Sequence, residues 1–156
     1  MIWDNAFAIS IIPQLLEGLV TTIQITFAGM AIAVVLGLVM AVLRYLKIPV
    51  VSKVLGFCVY FIRGTPLLVQ AFFVFYVLPE YGITMSALLT GILVIGVNYS
   101  AYTAEVYRSG IEGVPTGQWE ASTALNLPRT RTWRRIVLPQ AVRRVVPLLG
   151  NYLIQM

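Results

Sequence analysis

Few residues in this chain carry side chains that can do covalent or acid–base chemistry, and their spacing does not gather them. There is no histidine, which removes the commonest general base, the usual partner of a nucleophile and the commonest metal ligand. The six carboxylates, Asp4, Glu17, Glu80, Glu105, Glu112 and Glu120, are scattered, and no two lie within one helical turn inside an apolar run, so a membrane enzyme is disfavoured. Cys58 stands alone in an apolar stretch and reads as an inert thiol, without a disulfide framework or metal spacing. No Gly-x-x-x-x-Gly-Lys-Ser/Thr run is present to cradle a nucleotide's phosphates. No catalytic residue, metal or cofactor is assigned. The informative polar residues fall in two places. Asn98, Tyr99, Ser100, Tyr102 and Thr103 interrupt an apolar run, where they must find partners in the protein or in a water-filled cavity. Asn98, Tyr99 and Tyr102 are candidates to line a solute path, the alternative being interhelical hydrogen bonds that only hold a bundle together. The second place is Glu120-Ala121-Ser122-Thr123-Ala124-Leu125-Asn126-Leu127-Pro128.

The elements that position these residues belong in a bilayer. Of 156 residues, 59% are hydrophobic and 11% charged, with a mean hydropathy of +0.87, whereas charged residues make up about a quarter of a soluble domain. The net charge of +5 does not point to nucleic acid, because all eleven Lys and Arg fall in two intervals, 44–63 and 108–144. Under the positive-inside rule those intervals are cytoplasmic, and the N-terminus (Asp4, Glu17) and the turn at Glu80 face outward. Residues 1–17 read as a short outer segment with Trp3 at the interface. Gly18 to Leu43 is free of charge and long enough to cross a ~30 Å hydrocarbon core, with Gly29, Ala33 and Gly37 on one face for close packing. No basic n-region precedes it, which argues against a cleaved leader. A basic turn broken by Pro49 follows. Arg63 is placed near the cytoplasmic interface, with residues 54–62 along the inner leaflet, a bend at Gly64 and Pro66, and Leu67 to Leu78 continuing outward. Met85 or Ser86 opens a third span running to about Ala104. Beyond it, Glu105 and Arg108 are spaced to pair across one turn. The fold expected is an all-α membrane protein, a polytopic bundle of three complete transmembrane helices and the start of a fourth.

The stretch around Glu120 reads as two short helices meeting at an elbow. Thr116 is the expected N-cap, Glu120 then lies near the positive end of the first helix, and Ala121, Ala124 and Leu125 share a face. Asn126 is expected in a left-handed C′ position, since Asn tolerates positive φ better than other non-glycine residues, and Pro128 stops the helix. In the second helix Trp133, Ile136 and Val137 form an apolar stripe, and Arg129, Arg131, Arg134 and Arg135 mostly point elsewhere, as on an anionic membrane surface. Pro139 is expected to start the fourth span.

This stretch resembles the EAA loop of the integral membrane subunits of bacterial ABC importers: Glu-Ala-Ala, a Gly three residues on, nine residues, then Ile-x-Leu-Pro, here Ile136-Val137-Leu138-Pro139. Ser122 replaces the second Ala and Asn126 the Gly, two small departures in size and backbone permission. Gly117-Gln118, Gln140-Ala141 and Arg63-Gly64-Thr65-Pro66-Leu67-Leu68-Val69-Gln70 look like the polar amino acid uptake permeases, and the resemblance covers nearly the whole chain. It implies a permease without chemistry of its own, in the bacterial inner membrane with its N-terminus outside, a single domain over 1–156 containing a cytoplasmic coupling loop at 109–138. The implied partners are a second permease subunit, cytoplasmic ATP-binding subunits and an extracytoplasmic solute-binding protein, besides membrane lipid. Glu120, Ala121, Ala124 and Asn126 are the implied contacts to the ATPase. The solute would be an amino acid or similar zwitterion, and Trp3-Asp4-Asn5 with Thr123 to Pro128 looks most like the ectoine and hydroxyectoine subset. Because the family carries further spans, the sequence is expected to be incomplete after Met156. A passive pore or a scaffold subunit is the reading that composition and topology alone would also allow.

Overall fold

The computed structural model describes residues 5–156; the sequence readings at Trp3 and Asp4 lie outside them. Among the described residues every regular element is helical: α1 (Asn5–Ser10), α2 (Ile12–Tyr45), α3 (Pro49–Gly64), α4 (Leu67–Phe72), α5 (Ala87–Glu112), α6 (Thr116–Ala124), α7 (Arg129–Thr132) and α8 (Leu138–Gln155). α4 runs on through a π turn, Phe73–Val77, and a 3₁₀ turn, Leu78–Tyr81. By length and apolarity α2 and α5 can each cross a membrane, and α3 and the Leu67–Tyr81 segment meet the same measure only when taken together across their bend.

α2 begins at Ile12, ahead of the expected Gly18, because Pro13 falls in its first turn, where a fixed φ and a missing N–H cost nothing. At 34 residues it is about 50 Å long, well beyond the ~30 Å of hydrocarbon. Its buried residues are Gly29, Ala33, Gly37 and Ala41, one every fourth position, so a single stripe of small side chains carries the packing. That stripe lies on α5: Gly29 faces Ile92, Ile95 and Gly96, and Gly37 faces Ser100 and Thr103. The pairing order rises along both helices, so α2 and α5 run parallel. Thr103 Oγ1 donates to Ala33 O at 2.7 Å and Tyr107 OH to Val34 O at 3.3 Å, hydrogen bonds between spans that the close approach permits. Ser100 bonds within its own helix, to Val97 O at 2.6 Å. Ser100 and Thr103 thus serve the bundle.

The basic turn is shorter than expected. Pro49 does not break it but opens α3, and Lys47 takes φ 53° in the tight connection. α3 buries Val59 against Ala101 and Ala104, with Met40 and Ile62 beside them. The helix axis then turns by 101° into the Leu67–Tyr81 segment. Gly64 stays helical, so the bend falls on Thr65 and Pro66: the proline forces the residue before it out of the helical region, and Thr65 sits at φ −101°, ψ 136°. Ser86 caps α5, accepting from Leu89 N–H at 3.3 Å. α5 continues two turns beyond the expected Ala104 to Glu112, because its basic end is held from outside: Gly110 receives Val145 and Ala141 of α8.

Candidate functional site

α6 starts without a side-chain cap. Pro115, at φ −55° and ψ 138°, occupies the N-cap position, and Thr116 is the first helical residue; the expected Thr116 cap is replaced because proline's fixed φ supplies the entry geometry. Glu120 is consequently the fifth residue of the helix, outside the first turn, where the field of the helix terminus has fallen away. It makes no side-chain hydrogen bond or ion pair among the described residues and is exposed. Ala121, Ala124 and Leu125 do share a face, and that face is exposed, with Leu125 at 72%.

The opposite side of α6 holds it to the rest of the chain. Ser122 is 3% exposed and donates to Gln118 O at 2.7 Å. Trp119 meets Trp133 edge-on at 5.4 Å, and Trp133 meets Tyr45 of α2 at 5.2 Å. Val114, Val137 and Ala141 form a small core beneath them, against Ile111, Trp119 and Trp133. Ser122 replaces an alanine at the position that faces inward, and its hydroxyl is satisfied by its own helix. Glu120, Ala121 and Ala124 are left pointing away on a helix anchored from behind.

The elbow closes as expected at Asn126, with φ 51°. Asn126 N–H donates to Thr123 O at 2.9 Å and Leu127 N–H to Ser122 O at 3.0 Å, the paired bonds of a Schellman motif. Pro128, at φ −63° and ψ 143°, is the N-cap residue of α7. α7 does not stop before Pro139: a π turn, Trp133–Val137, joins it to α8, and Leu138 N–H bonds to Trp133 O. Pro139, lacking an N–H, sits in the first turn of α8, where the ladder changes from i→i−5 to i→i−4 bonding, at the helix start the sequence suggested. The turn keeps Val137 buried while Arg129, Arg131, Arg134 and Arg135 stay exposed.

The second candidate region lies in the bundle. Asn98, 5% exposed, donates through Nδ2 to Gln70 Oε1 at 3.2 Å. Gln70 in turn donates to Ile62 O at 2.9 Å and to Thr65 Oγ1 at 2.6 Å, bracing the bend between α3 and α4. Tyr99 and Tyr102 pack with Tyr152 of α8 at 5.8 to 5.9 Å between ring centres. Tyr99 OH donates to Gln155 O at 3.2 Å. The Arg63 guanidinium stacks over the Tyr102 ring at 5.0 Å, an attraction between cation and ring face. Arg63 therefore sits about one turn of α5 away from Glu105 and has no carboxylate partner among the described residues. The three sequence candidates fall into two sets of contacts: Asn98 with Gln70, and Tyr99 and Tyr102 with Tyr152 and Arg63. Gln70 was detectable as the lone amide within the apolar run 67–78; Tyr152, fifty residues from Tyr102, gave no local signal.

Glu105 and Arg108 pair as their spacing suggested, at 2.7 Å. Glu105 also accepts a charge-assisted bond from Arg44 at the end of α2, and Arg108 reaches Glu112 at 2.5 Å. This network ties the basic ends of the two parallel spans together.

The family described as "Binding-protein-dependent transport system inner membrane component" matches residues 33–156. A probable amino-acid ABC transporter permease protein of Sinorhizobium fredii is 53% identical over 157 residues, covering 97% of this chain and 68% of that protein. A probable amino-acid permease protein of Bacillus subtilis is 36% identical, covering 95% of this chain and 67% of its own length. The L-cystine transport system permease protein of Bacillus subtilis is 35% identical, with 92% and 62% covered. A crystal structure of an amino acid ABC transporter with histidines superposes with a TM-score of 0.94 at 34% identity, covering 100% of this chain and 73% of that one.

Proposed function

Because the chain belongs to the family of binding-protein-dependent transport system inner membrane components, we propose that α6 is the element through which it is driven by a separate ATPase. The chain is the permease subunit of an ATP-binding cassette importer, a membrane protein of the amino-acid transporting group. One observation carries the proposal: α6 is fixed from behind by Ser122, Trp119 and Trp133 and presents Glu120, Ala121 and Ala124 outward, exposed and without a side-chain hydrogen bond or ion pair among the described residues. A helix so mounted moves as a rigid body with whatever grips it. Segment 109–138 is the coupling loop, the cytoplasmic ATP-binding subunits grip its helix, and nucleotide-driven closure below changes access above. A second permease subunit completes the path, and an extracytoplasmic binding protein delivers the solute. The solute is an amino acid or similar zwitterion, passing Asn98, Tyr99 and Tyr102.

Asn126 tests the mounting. Asn126→Gly keeps positive φ accessible and is expected to leave transport and recovery of the ATPase near wild type. Asn126→Val, a β-branched residue in that backbone region, costs about 1–3 kcal/mol and is expected to lower recovery of the ATPase severalfold. Equal behaviour of the two variants would remove the elbow from the coupling path.

The orientation follows from the charge partition, with residues 44–53 and 109–138 inside and 79–85 outside. In intact cells an impermeant thiol reagent is expected to label Glu80→Cys and to spare Gln118→Cys, in a background lacking Cys58. The reverse pattern inverts the topology.

A further inference from the structure

Between the basic end of α2, the turn that follows it and the end of α5 lies a cleft of about 350 Å³ whose polar lining is Arg44, Lys47, Ser52, Arg108 and Glu112 and whose apolar wall includes Ala41 and Ile111. We propose that this cleft binds the phosphate of an anionic membrane lipid. Charge is the first ground. Glu105 sits between Arg44 and Arg108, and Glu112, which also lines the cleft, takes the other side of Arg108. Two carboxylates thus meet three cations, and Lys47 is left without a carboxylate among the described ion pairs. Its ammonium and the Ser52 hydroxyl share the wall with the two guanidinium groups, a donor set suited to one phosphodiester.

Depth is the second ground. The charge-free run 18–43 ends at Arg44, so the cleft opens where hydrocarbon gives way to headgroups. Leu38 and Val42 of α2 and Val50 and Val54 of α3 are exposed close by in the chain, apolar surface on which acyl chains can lie. Basic pockets between spans at this depth are suited to lipid headgroups.

The backbone of Lys47 is the third. Its φ of 53°, with Lys47 N–H held to Arg44 O at 3.1 Å, is a left-handed conformation that Gly or Asn adopts at lower cost. A lysine keeping that position points to a use for its charge. The lipid site requires neither the ATPase nor a particular solute.

Native mass spectrometry of the full chain in detergent, titrated separately with phosphatidylglycerol, phosphatidylcholine and inorganic phosphate, tests the proposal. Phosphatidylglycerol is expected to be retained in preference to phosphatidylcholine. Lys47→Asn keeps the left-handed turn, removes the charge and is expected to weaken phosphatidylglycerol binding about fivefold, and Lys47→Arg is expected to restore it. Arg143→Gln, an exposed cation on α8, is expected to leave binding unchanged. Equal retention by Lys47→Asn and wild type, an equal loss in Arg143→Gln, or equal binding of both lipids would each overturn the proposal. Displacement of the lipid by millimolar inorganic phosphate would assign the cleft to a soluble anion and overturn the lipid reading.

Discussion

In membranes carrying Glu120→Ala, the permease is expected at normal abundance, with about tenfold less ATPase recovered on purification and no stimulation of ATP hydrolysis by liganded binding protein. Normal abundance follows from the position of the side chain. Glu120 lies in the middle of α6, is exposed and makes no hydrogen bond or ion pair among the described residues, so its loss breaks nothing within the chain. Lost recovery is expected on the proposed coupling, in which the Glu120 carboxylate accepts a charge-assisted hydrogen bond, worth ~1.5–3 kcal/mol, from the ATPase surface; about 1.4 kcal/mol is a factor of ten. Glu120→Gln, which keeps an acceptor without the charge, is expected to fall between Ala and wild type. Retained ATPase binding and stimulated hydrolysis together with lost transport would move Glu120 into the solute path and defeat the coupling assignment. Disappearance of Glu120→Ala from the membrane would make it a structural residue of α6.

The features legible in the sequence are those set by local backbone chemistry or by one helix face. Asn126 was legible because the helix had to stop before Pro128 and few residues other than Asn or Gly take positive φ there. The Gly29, Ala33 and Gly37 stripe was legible because its period is that of one helix face, although nothing in it named α5 as the partner. Features that depend on distant residues were hidden. Arg44 reaches Glu105 across 61 positions and Asn98 reaches Gln70 across 28, and neither pair has a local signature. One local reading failed through competition between neighbours. Thr116 is a sound N-cap in isolation, but Pro115 beside it fixes the entry first. Pro139 was legible as a helix start, and it lies in the first turn of α8.

Depth explains why the polar residues of the third span divide as they do. Ser100 and Thr103 face the small-residue stripe, where a hydroxyl finds a carbonyl within reach and the close approach of the backbones is kept. Asn98 points the other way, to the braced bend, and Tyr99 and Tyr102 point to Tyr152 and Arg63. A side chain able to reach only its own helix or the next one serves packing. Asn98 reaches the Gln70 amide, and Tyr99 and Tyr102 meet Tyr152, with Arg63 over the Tyr102 ring; these contacts reach three further elements, α3, α4 and α8.

Gly37→Leu is expected to remove the permease from the membrane almost completely, and Gly56→Leu to leave it near wild-type abundance. Both glycines lie inside helices and neither needs positive φ; the difference is what a side chain would meet. A Cβ at Gly37 falls well inside the contact distance of Thr103 Oγ1 and stands 2.9 Å from Ser100 O, and both residues belong to the α5 face on which α2 lies. Thr103 is fully buried and bonded to Ala33 O, so it cannot turn aside without losing that bond and opening the closest approach of the two spans. Overpacking of this kind costs ~1–3 kcal/mol and the broken hydrogen bond about 1 more, enough to unfold a marginally stable chain. At Gly56 an added Cβ meets nothing within 4 Å. Immunoblots of membrane fractions, with the thermal aggregation midpoint of whatever Gly37→Ala protein survives, give the measurement, and the Ala variant is expected to melt several degrees below wild type. Equal abundance of the two Leu variants would show that α2 and α5 do not pack through this stripe, and the parallel pair on which the bundle is built would have to be redrawn.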